Sequence, residues 1–231
     1  MRLNEITSGT FAEQMKNDPW VIIPLGAVEA HGPHLPLGTD IFQPDYVLSK
    51  INEILGDRVI IAPIMPYGQH YTARGTSGTI DISFDTLRSF VRDILNAFIR
   101  HGAKRIMILS GHAGNSHIAA VTEACREIVN ANSVEIMLLS EFHMAKKYGI
   151  PEGDEHAGLM ETSRMLHIRP DLVGNERPKG SYKSAGYHVL RDARARLPNG
   201  VSGDTKGASL EFGEQIDDFI IKEIKKILLN I

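Results

Sequence analysis

The stretch Trp20-Val21-Ile22-Ile23-Pro24-Leu25-Gly26-Ala27-Val28-Glu29-Ala30-His31-Gly32-Pro33-His34-Leu35-Pro36-Leu37-Gly38-Thr39-Asp40 decides how this 231-residue chain is read. Its first half is a short apolar run, which reads as a buried strand. Its second half packs two carboxylates, Glu29 and Asp40, and two imidazoles, His31 and His34, into a turn stiffened by Pro33 and Pro36 and loosened by Gly32 and Gly38. The acids and histidines therefore leave the end of a rigid element together. Neutral imidazoles and carboxylates are the donors a divalent transition ion takes.

Working outward, further strands are predicted over residues 59–64, 105–109 and 134–139, beside the first over 20–24. Helices are predicted over 10–17, 44–55, 84–100, 116–130, 159–167 and 212–229. The clearest is 84–100: Ser83 can cap it, Gly102 follows it, and Leu87, Phe90, Val91, Ile94, Leu95 and Phe98 form an apolar stripe at helical spacing. Strands alternating with helices argue an α/β fold with a mostly parallel sheet covered on both faces. No repeat, low-complexity tract or linker divides residues 1–231, so one domain is expected, with 174–205 as long surface loops around a short hairpin.

Bulk properties narrow the function. Hydrophobic content of 42%, charged content of 23% and a net charge of -3 suit a globular protein and give no reason to expect nucleic acid or an anionic membrane as partner. No apolar run approaches the roughly 20 residues of a membrane span, and the N-terminus lacks the apolar core of a signal peptide. The single cysteine, Cys125, excludes an intrachain disulfide, which fits a cytoplasmic protein. Dinucleotide and P-loop spacings are missing, and no serine sits in a nucleophile elbow.

In parallel sheets, ligands bind beyond the carboxyl ends of the strands. Three motifs reach that edge: Glu29–Asp40, the turn Ser110-Gly111-His112-Ala113-Gly114-Asn115, and His156-Ala157-Gly158-Leu159-Met160-Glu161. Glu29 and His31 are two apart, so in extended backbone both face one side. With Asp40 and His112 they make a set suited to Zn, Mn or Fe(II), and two ions about 3.5 Å apart would make a hydrolase that lowers the pKa of water and polarises a carbonyl. His156 could serve as general acid, with Glu161 binding metal or orienting water. His34 either structures its loop or meets substrate, Asn115 either caps the following helix or meets substrate, and His70 follows a strand end where it can line the pocket. His117 has no constellation around it and reads as structural.

These pieces, together with Gly78-Thr79-Ile80 and Gly200-Val201-Ser202-Gly203-Asp204, resemble the creatininase (creatinine amidohydrolase) family over nearly the whole chain. The resemblance implies a three-layer α/β/α sandwich, one or two divalent metals per chain, and often a homohexamer. It implies Glu29, His31, Asp40 and His112 as ligands, Asp40 as the bridge and His156 as the catalytic acid. The implied activity is hydrolysis of a C–N bond in a small, cyclic amide; peptidase-like or deformylase activity, or a silent metal-binding oligomer, are the alternatives. Two positions depart from creatininase proper. Gly114 stands where that enzyme has a metal-binding glutamate, leaving either Glu161 as the replacement or a weak or absent second site. The lid tryptophans over the creatinine ring have no counterpart, since Trp20 is the one tryptophan, so creatinine is not the favoured substrate.

Overall fold

The computed structural model describes residues 1–230. In chain order the elements are α1 (Ser8–Met15), β1 (Trp20–Leu25), α2 (Thr39–Leu55), β2 (Val59–Ile61), α3 (Phe84–Arg100), β3 (Arg105–Ser110), α4 (Asn115–Ala131), β4 (Glu135–Ser140), α5 (Glu141–Lys146), α6 (Leu159–Ile168), β5 (Lys179–Gly180), β6 (Gly203–Asp204) and α7 (Leu210–Leu229). The main sheet has the order β2-β1-β3-β4 and is parallel throughout. Its central strand β1 is buried along its whole length because both of its faces are covered. Ile22 faces a layer built from α2, α5, α6 and α7, whereas Val21, Ile23 and Leu25 face α3 and α4. This is the expected three-layer sandwich.

The strand order reverses direction between β1 and β3, and a crevice opens at their carboxyl ends. Gly111 N–H donates to the Leu25 carbonyl there, at 2.8 Å. Pro44 lies inside α2 and has no N–H, so the Asp40 carbonyl loses its helical partner. Gly26 and Gly111 close on that carbonyl: a Cβ would come within 2.8 Å of it at Gly26 and 2.3 Å at Gly111. The two strand-end glycines thus let the first turn of α2 sink into the crevice, carrying Asp40 with it.

Several expectations need correction. The predicted helix over 44–55 begins at Thr39, since the proline falls in its early turns and does not start it. The predicted strand over 59–64 ends at Ile61 because Pro63 cannot donate to a ladder; Ala62 and Met65 still donate to the Ile22 and Pro24 carbonyls. Helix α5 was not anticipated; Ser140 caps it by accepting from His143 N–H. The strands β5 and β6 pair antiparallel across a 22-residue excursion over 181–202, so they close a long loop instead of a short hairpin.

Candidate metal centre

Three loops deliver the site. The turn after β1 brings Glu29 and His31, and its chain returns as the first turn of α2 with Asp40. The turn after β3 brings His112. The third loop precedes α6 and carries His156, with Glu161 in that helix's first turn. Ala157, between them, sits at φ 49°, a left-handed conformation unfavourable for a residue with a Cβ. The bend is held from three sides. Asp154 caps α6 by accepting from the Leu159 and Met160 N–H groups at 2.6 and 3.0 Å. His156 exchanges backbone hydrogen bonds with Ser202, and Ala157 N–H donates to the Glu161 carboxylate. The Gly200–Asp204 segment therefore serves to fix His156.

Asp40 stands at the centre. Its Oδ1 lies 3.1 Å from His31 Nε2 and its Oδ2 lies 3.1 Å from His112 Nδ1. Glu29 Oε2 is 3.0 Å from the same His112 nitrogen, and Glu161 Oε2 is 3.8 Å from His31 Nε2. Glu29 and His31 thus face one cavity but adjoin different neighbours. The outer nitrogens are oriented by backbone: His31 Nδ1 lies 3.0 Å from the Glu29 carbonyl and His112 Nε2 3.3 Å from the Gln69 carbonyl. Fixing the far nitrogen in this way leaves the near one's lone pair for a metal.

The electrostatics fit a cation. Glu29, Asp40 and Glu161 are three carboxylates buried together, an arrangement that needs positive charge among them. Burial opposes ionisation of Glu29, yet the charges of His112 and His156 hold it well below the ordinary carboxylate range. Burial likewise disfavours a charged His31, but Asp40 outweighs it and lifts the imidazole to about 10; His112 is raised well above its usual value against the same penalty, chiefly by Glu29. Burial raises the Glu161 carboxyl despite His31 and His156. Protons on the two imidazoles thus stand in for the charge a divalent ion brings. Among the described residues, Glu29 Oε2, His31 Nε2 and both nitrogens of His70 are buried without a hydrogen-bond partner, as donors awaiting an ion would be. Triads of ligand atoms lie within 4.8 Å of one another in Glu29–His70–His112, Glu29–His31–His156 and His31–Asp40–Glu161.

A cavity of about 630 Å³ opens over this cluster, lined by Glu29, Asp40, His70, His112, His156, Glu161 and, further out, Tyr71, Phe142, His143 and Tyr182. Asn115 is on its wall as the first residue of α4; its side chain makes no cap, and the cap position belongs to Gly114. His34 is not among the lining residues. It is buried with Nε2 2.8 Å from Thr162 Oγ1, so it braces the loop against α6, which is the structural one of the two roles its sequence left open. His70 goes the other way: it lies inside the ligand cluster, with Nδ1 3.3 Å from Glu29 Oε1. His117 is fully buried; its Nδ1 accepts from Gln69 N–H at 3.3 Å and its ring packs on His112 at 4.9 Å between centroids. The two are five residues apart, with His112 in the turn before α4 and His117 inside it, so no helical spacing marked that contact in the sequence. Gly114 is tied to His112 as well, since a Cβ there would come within 2.6 Å of His112 Nε2. A glutamate at this position cannot coexist with His112 as it stands.

The creatininase family, described as creatinine amidohydrolase, matches residues 4–228. The chain is 30% identical to the creatinine amidohydrolase of Pseudomonas putida over 88% of its own length and 86% of that protein. It is also 30% identical to the mycofactocin precursor peptide peptidase of Mycobacterium ulcerans, over 94% of its length and 90% of the relative. Solved creatininase structures superpose on it at 26% identity, covering 98% of this chain and 96% of theirs: a manganese form with a TM-score of 0.85 and a zinc–zinc form of a variant with 0.81.

Proposed function

This chain belongs to the creatininase family of metal-dependent hydrolases acting on C–N bonds, and from that premise we propose that it cleaves a small, cyclic amide. The observation that carries the reading is Asp40, whose two oxygens address His31 on one side and His112 on the other. With ions present, Asp40 would be a ligand available to both. Glu29 and His112 would hold one ion and His31 and Glu161 the other, with Glu161 doing the work of the ligand missing at Gly114. When bound, the ions lower the pKa of water toward neutrality and polarise a carbonyl.

The remaining chemistry belongs to side chains. His156 is half-buried on the cavity wall, its ring 4.3 Å from that of His31, and its Nε2 lies 3.0 Å from the Ala30 carbonyl. With Nε2–H donated to that carbonyl, Nδ1 is the nitrogen that exchanges a proton with the departing amine. Positioned proton transfer of this kind contributes typically about 10²–10⁴-fold. Tyr71, Phe142 and Tyr182 supply the apolar surface of the outer cavity in place of a tryptophan lid, which favours an amide other than creatinine. The kinship with a peptide peptidase keeps one second reading, a short peptide held in the same cavity. Family membership also suggests a homohexamer, which sedimentation velocity would test.

The test is turnover of a panel of cyclic amides, formamides and short peptides by zinc- or manganese-loaded protein. Metal-dependent hydrolysis of a cyclic amide, lost in His156→Gln, supports the proposal. Cleavage confined to peptides would establish the second reading instead, and no hydrolysis by fully loaded protein would overturn both.

A further inference from the structure

We propose that His70 is itself a metal ligand, completing with Glu29 and His112 a nitrogen-rich subsite distinct in donor type from the His31–Asp40–Glu161 side. The proposal rests on the metal-dependent reading above and concerns which residues of this chain make it up.

Three observations converge on His70. Its side chain is 1% exposed, and neither ring nitrogen has a hydrogen-bond partner among the described residues. A buried imidazole left unpartnered at both nitrogens is costly, so a group outside the protein's own side chains is required to satisfy it. The ring is also aimed: Nδ1 lies 3.3 Å from Glu29 Oε1, and the ring centroid is 4.6 Å from that of His112. Lastly, its backbone is prepositioned. The Gly68 carbonyl accepts from Ile82 N–H at 3.0 Å, Gln69 N–H donates to His117, and the Gln69 carbonyl faces His112 Nε2. Gly68 permits this approach, since a Cβ there would lie 2.9 Å from His117 Nδ1. The loop is thus clamped to His112, a proposed ligand, and to His117 packed behind it, and residue 70 has little freedom to turn away.

The rival arrangement has His70 donate Nδ1–H to Glu29 and merely steady that ligand. It accounts for the 3.3 Å separation at Nδ1 but leaves the buried Nε2 without a partner among the described residues. With His70 as a ligand, one subsite offers two nitrogens and one oxygen and the other one nitrogen and two oxygens, with Asp40 counted on the second side. Imidazole donors suit zinc, whereas carboxylates suit manganese. The Glu29–His70–His112 subsite should therefore retain zinc when manganese enters the other.

Crystals of the full chain loaded with zinc, with anomalous data at the zinc edge, test this directly. An ion about 2.0–2.1 Å from a His70 nitrogen supports the proposal. An ion bound by Glu29 and His112 with His70 beyond coordinating distance overturns it while leaving the metal reading intact. No ion near His31 or His112 overturns both. In solution, His70→Ala should weaken zinc binding at one site by more than the roughly 10–100-fold of a merely supporting partner. A smaller change, or an unaltered preference of zinc over manganese, would count against ligation.

Discussion

Histidine chemistry in this chain is set residue by residue by what each ring touches. His34 and His156 illustrate the two extremes. Burial, then the charges of Arg177 and His31, push the His34 imidazole down to about 4, so in the folded protein it stays neutral. Between about 4 and its ordinary 6.5, the unfolded chain binds a proton there that the folded chain refuses. Stability should therefore fall as pH drops through that window, by about 1–3 kcal/mol from this residue. Urea unfolding at several pH values should show this slope flatten in His34→Gln. His156 is at the cavity wall, and His156→Gln should keep its metal while kcat falls about 10²–10⁴-fold. Equal loss of metal and activity would instead make His156 a ligand.

At the scale of elements, the sheet and the three site-bearing loops were legible because apolar runs and turn chemistry are local signals. The Val21–Val28 run, the glycine turn after β3 and the His156–Glu161 spacing each located one wall of the crevice. What escaped the sequence was set by tertiary contact. Helix α2 swallowed Asp40 because Gly26 and Gly111 make room for its first turn, and His34 was diverted from the cavity by Thr162 of α6. His70 became a neighbour of His112 only when the loop over Gly68–His70 was pressed onto His117 of α4. Two predictions belong here. Gly111→Ala would force a Cβ against the Asp40 carbonyl and Pro44, costing about 1–3 kcal/mol by unfolding and weakening metal retention together. Arg164 of α6 is buried between Asp217 at 2.5 Å and Glu141 at 3.3 Å, and also donates to Gln43 at 2.6 Å, tying α6 to α2, α5 and α7. Arg164→Met leaves both acids buried without their cation and should cost about 3–5 kcal/mol in urea unfolding.

For the whole molecule, the centre is where folding and function meet. Three buried carboxylates share one crevice between the layers, so the ion that would neutralise them also stabilises the sandwich. A ligand at a hundred times its dissociation constant adds about 2.7 kcal/mol, and for a chain of this size each kcal/mol moves Tm by about 2–4 °C. Chelation should accordingly lower Tm by roughly 5–10 °C, reversibly on adding zinc or manganese, as calorimetry can establish. The measurement that reaches the central claim most directly is metal content per chain for the reconstituted protein beside Glu161→Gln. Two ions falling to one in the variant is the expected result, because Glu161 would complete the subsite that Gly114 cannot. A single ion untouched by the substitution, or no ion at all after reconstitution, would contradict the account.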